Sequence, residues 1–352
     1  MKRKIILLYV FSMVCSCILA NVELNETNFP DAVFRSHLFM YCHCGDGVLT
    51  DEEIANIQFI VLPEKGIKSL KGVEYLTAMR NLECGDNQLT ELDVSKNTAL
   101  TYLDCSDNQL TALNVSGCKE LGDLICSGNQ LTTLDVSECA KLEWLSCKNN
   151  LLTELDVSGC SRLEDLSCQE NSLTTLDVST CSALKSMICN SNRLTALDLS
   201  KNTKLRYMLC SDNQLTTLKV SENSRMDYFA FDQNKIKGAE MDALLESLPS
   251  VTNHSTMNVI YCENEQNVMT KAQVAVAKAK GWKPLYYDGS GWQEYEGSNP
   301  TGIDEIKSEE LRSFSSTKSI KNEGSIYDLQ GRRLSGEPAH GIYIENGRKV
   351  AK

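Results

Sequence analysis

The chain has 352 residues, 47 of them acidic and 35 basic, for a formal net charge of −12. Such a surface repels phosphate backbones and argues against a nucleic-acid partner. At 42% hydrophobic the chain can bury a sizeable core, and its length fits one large domain or two ordinary ones.

Residues 1–20 read as a secretory signal peptide. Lys2, Arg3 and Lys4 form a basic start, residues 5–19 are uncharged and mostly apolar, and Ala20 is small enough for cleavage before Asn21. The apolar stretch is short for a membrane span. Removing three basic residues takes the charge from −12 to −15 (−12 − 3). Val14-Cys15-Ser16-Cys17 offers a second route, lipidation at Cys17.

Residues 21–56 follow. Val33, Phe34 and Leu38 predict a helix over 31–40, and Thr50-Asp51-Glu52-Glu53 is a capping box that opens a second helix. The loop between them resembles an EF-hand, with Gly47 at the glycine position and Asp46 and Glu53 at ligand positions. Its first two ligand positions are Cys42 and Cys44, where calcium needs hard oxygens. We read the segment as a helix–loop–helix cap that keeps the shape without the ion. Cys42-His43-Cys44 has no second ligand pair nearby, so no metal is expected there.

From residue 57 to 236 the chain is periodic. Cys84, Cys105, Cys126, Cys147, Cys168, Cys189 and Cys210 are each 21 residues apart, and Phe231 continues the column. Three residues after each stands an Asn, from Asn87 to Asn234, and two further on a Leu or Ile, from Leu89 to Ile236. Further apolar columns run from Leu92 to Leu218 and from Val94 to Val220. Self-similarity at one short period means a solenoid. A longer first unit covers 57–78, and eight more start at Met79, Leu100, Leu121, Leu142, Leu163, Leu184, Leu205 and Met226.

One unit, LTYLDCSDNQLTALNVSGCKE, carries the leucine-rich-repeat pattern LxxLxLxxNxL with Cys at its sixth position. Leu103 and Cys105 alternate inward along a short strand, and Asn108 can satisfy backbone groups at the turn. Twenty-one residues leave little room for a helix on the returning side. The predicted fold is a curved parallel β-sheet solenoid with a mostly non-helical convex side. Stacked strands hold like side chains ~4.8 Å apart and pointing the same way, too far and wrongly aimed for disulfides. The cysteines are therefore read as buried free thiols. Cys118, Cys139, Cys160 and Cys181 form a second column, where other units carry Asn97, Asn202 and Asn223.

After Ile236 the period changes. Residues 239–248 read as a helix stopped by Pro249, 259–262 as a strand, 270–280 as a helix ended by Gly281, and 285–287 as a strand. These units, over 237–296, would form an α/β cap that extends the sheet and closes its edge. Trp282 and Trp292 are assigned to cap packing. Residues 297–323 are polar and read as a linker. In 324–352, short strands at 326–329 and 341–344 with Gly331 and Gly347 at turns resemble the C-terminal sorting domain of type IX secretion cargo. The other reading of that segment is a small β appendage.

The outward strand positions define a concave face. Its candidate ligand-binding residues are Tyr102, Asp104, Ile125, Trp144, Ile188, Tyr207, Leu209 and Tyr228. The same face holds nine acids, including Glu83, Asp86, Asp107 and Asp232, against Lys148 alone. Exposed aromatic and apolar groups there suggest an interface. The four histidines, His37, His43, His254 and His340, fall in caps and tail, and no catalytic motif appears, so no enzyme and no cofactor is expected.

The repeat LDVSxNxxLxxLxCxxNQLTxLDVS, with the cap before it, resembles the internalin-type bacterial repeats, in particular those with a cysteine column, across about residues 28–297. That resemblance implies an EF-hand-like helical N-terminal cap and a secreted or surface adhesion and recognition protein. Its partner would be a protein ligand, from a host surface or matrix, with attachment to the outer membrane. Glycan capture by the same face and a cell-envelope scaffold are the alternatives.

Overall fold

A turn of 21 residues is too short to satisfy its own backbone, so each turn must hand hydrogen bonds to the next. The computed structural model describes residues 21–42, 46–220, 226–251, 255–262 and 265–299, with backbone strands in the tail. The expected signal peptide at 1–20, His43 and Cys44 of the loop, Asn223, and nearly all of the linker lie outside the described residues.

Nine strands stack in parallel and in chain order: β1 (Phe59–Val61), β2 (Asn81–Glu83), β3 (Tyr102–Asp104), β4 (Asp123–Ile125), β5 (Trp144–Ser146), β6 (Asp165–Ser167), β7 (Ser186–Ile188), β8 (Tyr207–Leu209) and β9 (Tyr228–Ala230). Phe59 pairs with Asn81, one position beyond the 21-residue offset that links Asn81 to Tyr102 and every later pair up to Tyr228. The sheet continues through β10 (Thr256–Ile260) and β11 (Lys283–Tyr287) and ends in β12 (Trp292–Glu294), which turns back antiparallel. The returning side is built of short parallel pairs, Glu91–Asp93 with Ala112–Asn114 and Ala196–Leu199 with Thr217–Val220, and a 3-10 turn at Val73–Tyr75.

The asparagines do what the turns require. Asn108 Nδ2 donates to the carbonyls of Cys84, Cys105 and Ser106 (3.0, 3.2 and 3.0 Å), and its Oδ1 accepts from Leu89 N at 2.9 Å. Asn129, Asn150, Asn171, Asn192, Asn213 and Asn234 repeat this rung by rung. Asn267, far outside the period, supplies one more: its Oδ1 accepts from Ile236 N at 2.8 Å and its Nδ2 donates to Phe231 O and Val259 O. The residue before each repeat Asn is left-handed, with φ between 51° and 65° from Asp86 to Gln233. At Gly128 a Cβ would stand 2.2 Å from Asp107 Oδ1, so that rung admits only glycine without movement of Asp107.

Cys84 through Cys210 are buried and free, in one column beside the strands. Burial pushes the Cys147 thiol up to about 12. The second column has its own hydrogen-bonding role. Asn97 Nδ2 donates to Val73 O and Leu76 O at 2.9 Å, and Cys118 Sγ donates to the corresponding Val94 O at 3.3 Å. Cys160 and Cys181 reach Val136 O and Val157 O in the same way.

At the N-terminal end, α1 (Ala32–Cys42) starts under Asp31, whose Oδ1 accepts from Val33 N and Phe34 N. Phe34 and Leu38 are buried, whereas Val33 faces out. Asp31 Oδ2 accepts from Lys68 N at 2.9 Å and so ties this end to the first repeat. Thr50 caps α2 (Asp51–Asn56) in the predicted box; Glu53 Oε2 accepts from Thr50 N at 2.8 Å, which commits that carboxylate to the helix start. At the other end, α3 (Ala239–Ser247) packs on Thr217–Val220 and on α4 (Lys271–Ala279), which in turn packs on β11, with Thr270 and Gln273 forming a second capping box. Trp282 is buried there and its Nε1 donates to Pro249 O at 2.9 Å. The strand expected at 259–262 begins earlier, at Thr256, and β12 is an element the pattern did not announce. In the tail, Ile342–Glu345 pairs antiparallel with both Ile326–Tyr327 and Arg348–Ala351.

Candidate recognition face

Strand side chains alternate, so residues flanking the buried Leu82, Leu103 and Leu124 must point outward. The constant register aligns them in two rows. One runs Phe59, Asn81, Tyr102, Asp123, Trp144, Asp165, Ser186, Tyr207, Tyr228; the other runs Val61, Glu83, Asp104, Ile125, Ser146, Ser167, Ile188, Leu209, Ala230.

Trp144 and Tyr207 are 44% and 47% exposed, which is high for large apolar side chains. Arg206 lies 6.0 Å from the Tyr207 ring centroid while its guanidinium is held by Asp227. Tyr102, Asp104, Ile125, Ile188 and Leu209 are half-buried in the rows. Tyr228 is half-buried as well, whereas Asp232 is a correction: the sheet does not stop at β9, and the segment that follows covers it. Asn258 on β10 donates to the Tyr228 hydroxyl at 2.6 Å, and burial pushes that phenol up to about 12. Asp232 is only 4% exposed.

Two residues absent from the predicted set belong to the face. Phe59 and Val61 on the edge strand are 53% and 46% exposed. The signal was there, since counting from Ile57 puts them at the third and fifth positions of a unit. Trp292 packs within the C-terminal segment: it stands edge-on to Tyr287 at 5.5 Å, beside the stacked Tyr261–Tyr287 pair, while Tyr286 and Tyr295 pack inward.

Charge divides the face. Glu83 pairs in register with Asp104, Asp123 follows Tyr102, and Asp86 and Asp107 lie just beyond β2 and β3. Burial, then Asp104, Glu83 and Asp123, holds the Tyr102 phenol above its ordinary range. Burial and Asp86 likewise raise Asp107, against a weaker pull from Lys148. The half from β5 to β8 mixes Trp144, Ile188, Tyr207 and Leu209 with serines and the exposed Asp165. Among the described residues, no group of three or more His, Cys, Asp or Glu is placed to hold a metal ion.

No family model matches the chain, and no curated protein does. Solved structures do. The functional domain of InlJ from Listeria monocytogenes, described as including a cysteine ladder, aligns with a TM-score of 0.54 at 29% identity, covering 71% of this chain and 60% of that one. The fold is that of the internalin-like leucine-rich repeats. A leucine-rich-repeat protein of Leptospira interrogans aligns at TM-score 0.50 and 23% identity over 57% of each chain, a likeness of fold. This chain therefore spans about three fifths of the protein it matches first.

Proposed function

We propose that the protein is an exported recognition or adhesion protein that binds a protein ligand through the outward face of its main sheet. The observation that carries this reading is the exposure of Trp144 and Tyr207 on strands whose stability comes from the opposite face. In this reading residues 1–20 are the leader, 21–56 an EF-hand-like cap, 57–236 the repeats, 237–296 the closing cap, 297–323 a linker and 324–352 a sorting segment for type IX export that leaves the protein on the outer membrane. Tyr102, Asp104, Ile125, Ile188, Leu209 and Tyr228 complete the contact surface.

The test is a screen of the chain from Asn21 against matrix and cell-surface proteins and a glycan array, beside a Tyr102→Ala/Trp144→Ala/Tyr207→Ala variant shown to be folded. Protein binding that the variant loses supports the reading. Binding that survives in the variant moves the site elsewhere, and saturable sugar binding lost with Trp144 replaces a protein ligand with a glycan.

A further inference from the structure

The first third of the face differs from the rest in a way the fold does not require. Phe59 and Val61 are the most exposed large apolar pair on the sheet, and they sit on its open edge strand. In register beside them come Asn81 and Glu83, then Tyr102 and Asp104, then Asp123. Asp86 and Asp107 extend the acidic field to the ends of β2 and β3. Among the described residues none of these five carboxylates joins an ion pair, although Lys141, Lys185, Arg206 and Lys278 are paired elsewhere. Asp104 is held in place by Ser106, whose N and Oγ donate to its Oδ1 at 2.9 and 2.6 Å. Like charges fixed on neighbouring strands raise the energy of the free protein, and a cationic partner relieves them.

The arrangement also selects the kind of cation. The carboxylates do not converge on one point; they spread over three strands, roughly 10 Å across. Several charges on one chain match that spread better than a single ion does. The apolar pair at the margin asks for an apolar group on the same partner.

We propose that Phe59 and Val61, with the carboxylates of Glu83, Asp86, Asp104, Asp107 and Asp123, dock a basic polypeptide segment whose apolar side chain rests on the pair between its lysines or arginines. This rests on the reading of the face as a protein-binding surface and assigns the partner's chemistry at one end of it. Tyr102 stands between Asn81 and Asp123 in the row, with its hydroxyl in the field of the acids.

The experiment is fluorescence anisotropy of the full chain with a labelled peptide alternating lysine and leucine, beside lysine–serine and glutamate–leucine peptides. The lysine–leucine peptide should bind tightest and weaken at least about tenfold between roughly 50 and 300 mM salt. Glu83→Gln/Asp104→Asn and Phe59→Ser/Val61→Ser should each weaken it by about fivefold to tenfold, or about 1 to 1.4 kcal/mol. Asp156→Asn/Asp177→Asn removes two charges from the returning side and controls for net charge. An equal loss in that variant overturns the proposal, as does no binding of the lysine–leucine peptide or equal binding of all three peptides. A peptide lost from Trp144→Ala/Tyr207→Ala but kept by both N-terminal variants would also overturn it, while leaving the broader recognition reading standing.

Discussion

Asp232 should make this protein less stable as the pH rises toward neutrality. Its buried carboxyl accepts from Ser211 Oγ at 2.7 Å and faces Glu265, Asp212 and the phenol of Tyr228. Burial, partly offset by the Ser211 hydrogen bond and reinforced by Glu265 and Asp212, pushes it from 3.8 up to about 7. A folded value above the unfolded one means that the native state holds the proton more tightly. The contribution is fully present below pH ~4, falls by about 1.4 kcal/mol per unit to pH ~7, and is then gone, roughly 4 kcal/mol in all. Asp232→Asn keeps the acceptor for Ser211 and removes the titration. The variant should match the parent near pH ~4.5 and exceed it by up to roughly 4 kcal/mol near pH ~8. Urea unfolding across that range measures the difference directly. Glu265 is also raised by burial, and because it faces Asp232 the comparison reads the coupled pair. Asp135, Asp156 and Asp198, held low by hydrogen bonds from Ser137, Ser158 and Ser200, act below the window with opposite sign. Parallel profiles for parent and variant would refute the reasoning.

Four further outcomes follow from the ladders. Asn150→Ala strands Leu131 N and the carbonyls of Cys126 and Cys147, and should cost about 3 kcal/mol or more in urea unfolding; an unshifted midpoint contradicts the rung's role. Cys160→Asn should be tolerated within about 1 kcal/mol, because Asn97 and Asn202 hold the same place in their turns. Cys147→Asn, in the apolar column, should cost about 3 kcal/mol or more, and equal effects would erase the distinction between columns. The buried thiols should ignore a thiol reagent in native protein and react on unfolding; recovery of any two as a disulfide would overturn the packing account.

The solenoid was legible because its period is written in residue types that have one job each: Leu inward, Asn at the turn, Cys where a small apolar group fits. The limits have physical causes. Asn267 fills a rung but lies 33 positions after Asn234 (267 − 234), so no periodic count finds it. Asp232 looks outward by alternation, yet the Glu265 loop that lies over it arrives some thirty residues later in the chain. Phe59 and Val61 were hidden by the extra residue in the first unit, although the count from Ile57 is unbroken across the strand. The partner of Trp292 was not legible, because the antiparallel return of β12, which sets it opposite Tyr287, has no signature in a parallel repeat.

Because each rung closes on a neighbour at a fixed offset, the molecule is divisible. Excising residues 142–162, one whole unit, would bring Asn129 next to Asn171 and leave every rung filled. Duplication of a unit works the same way in reverse. The length of the reading surface can thus change in steps of ~4.8 Å without any new core being designed, so a chain of this kind can be fitted to partners of different size by counting turns.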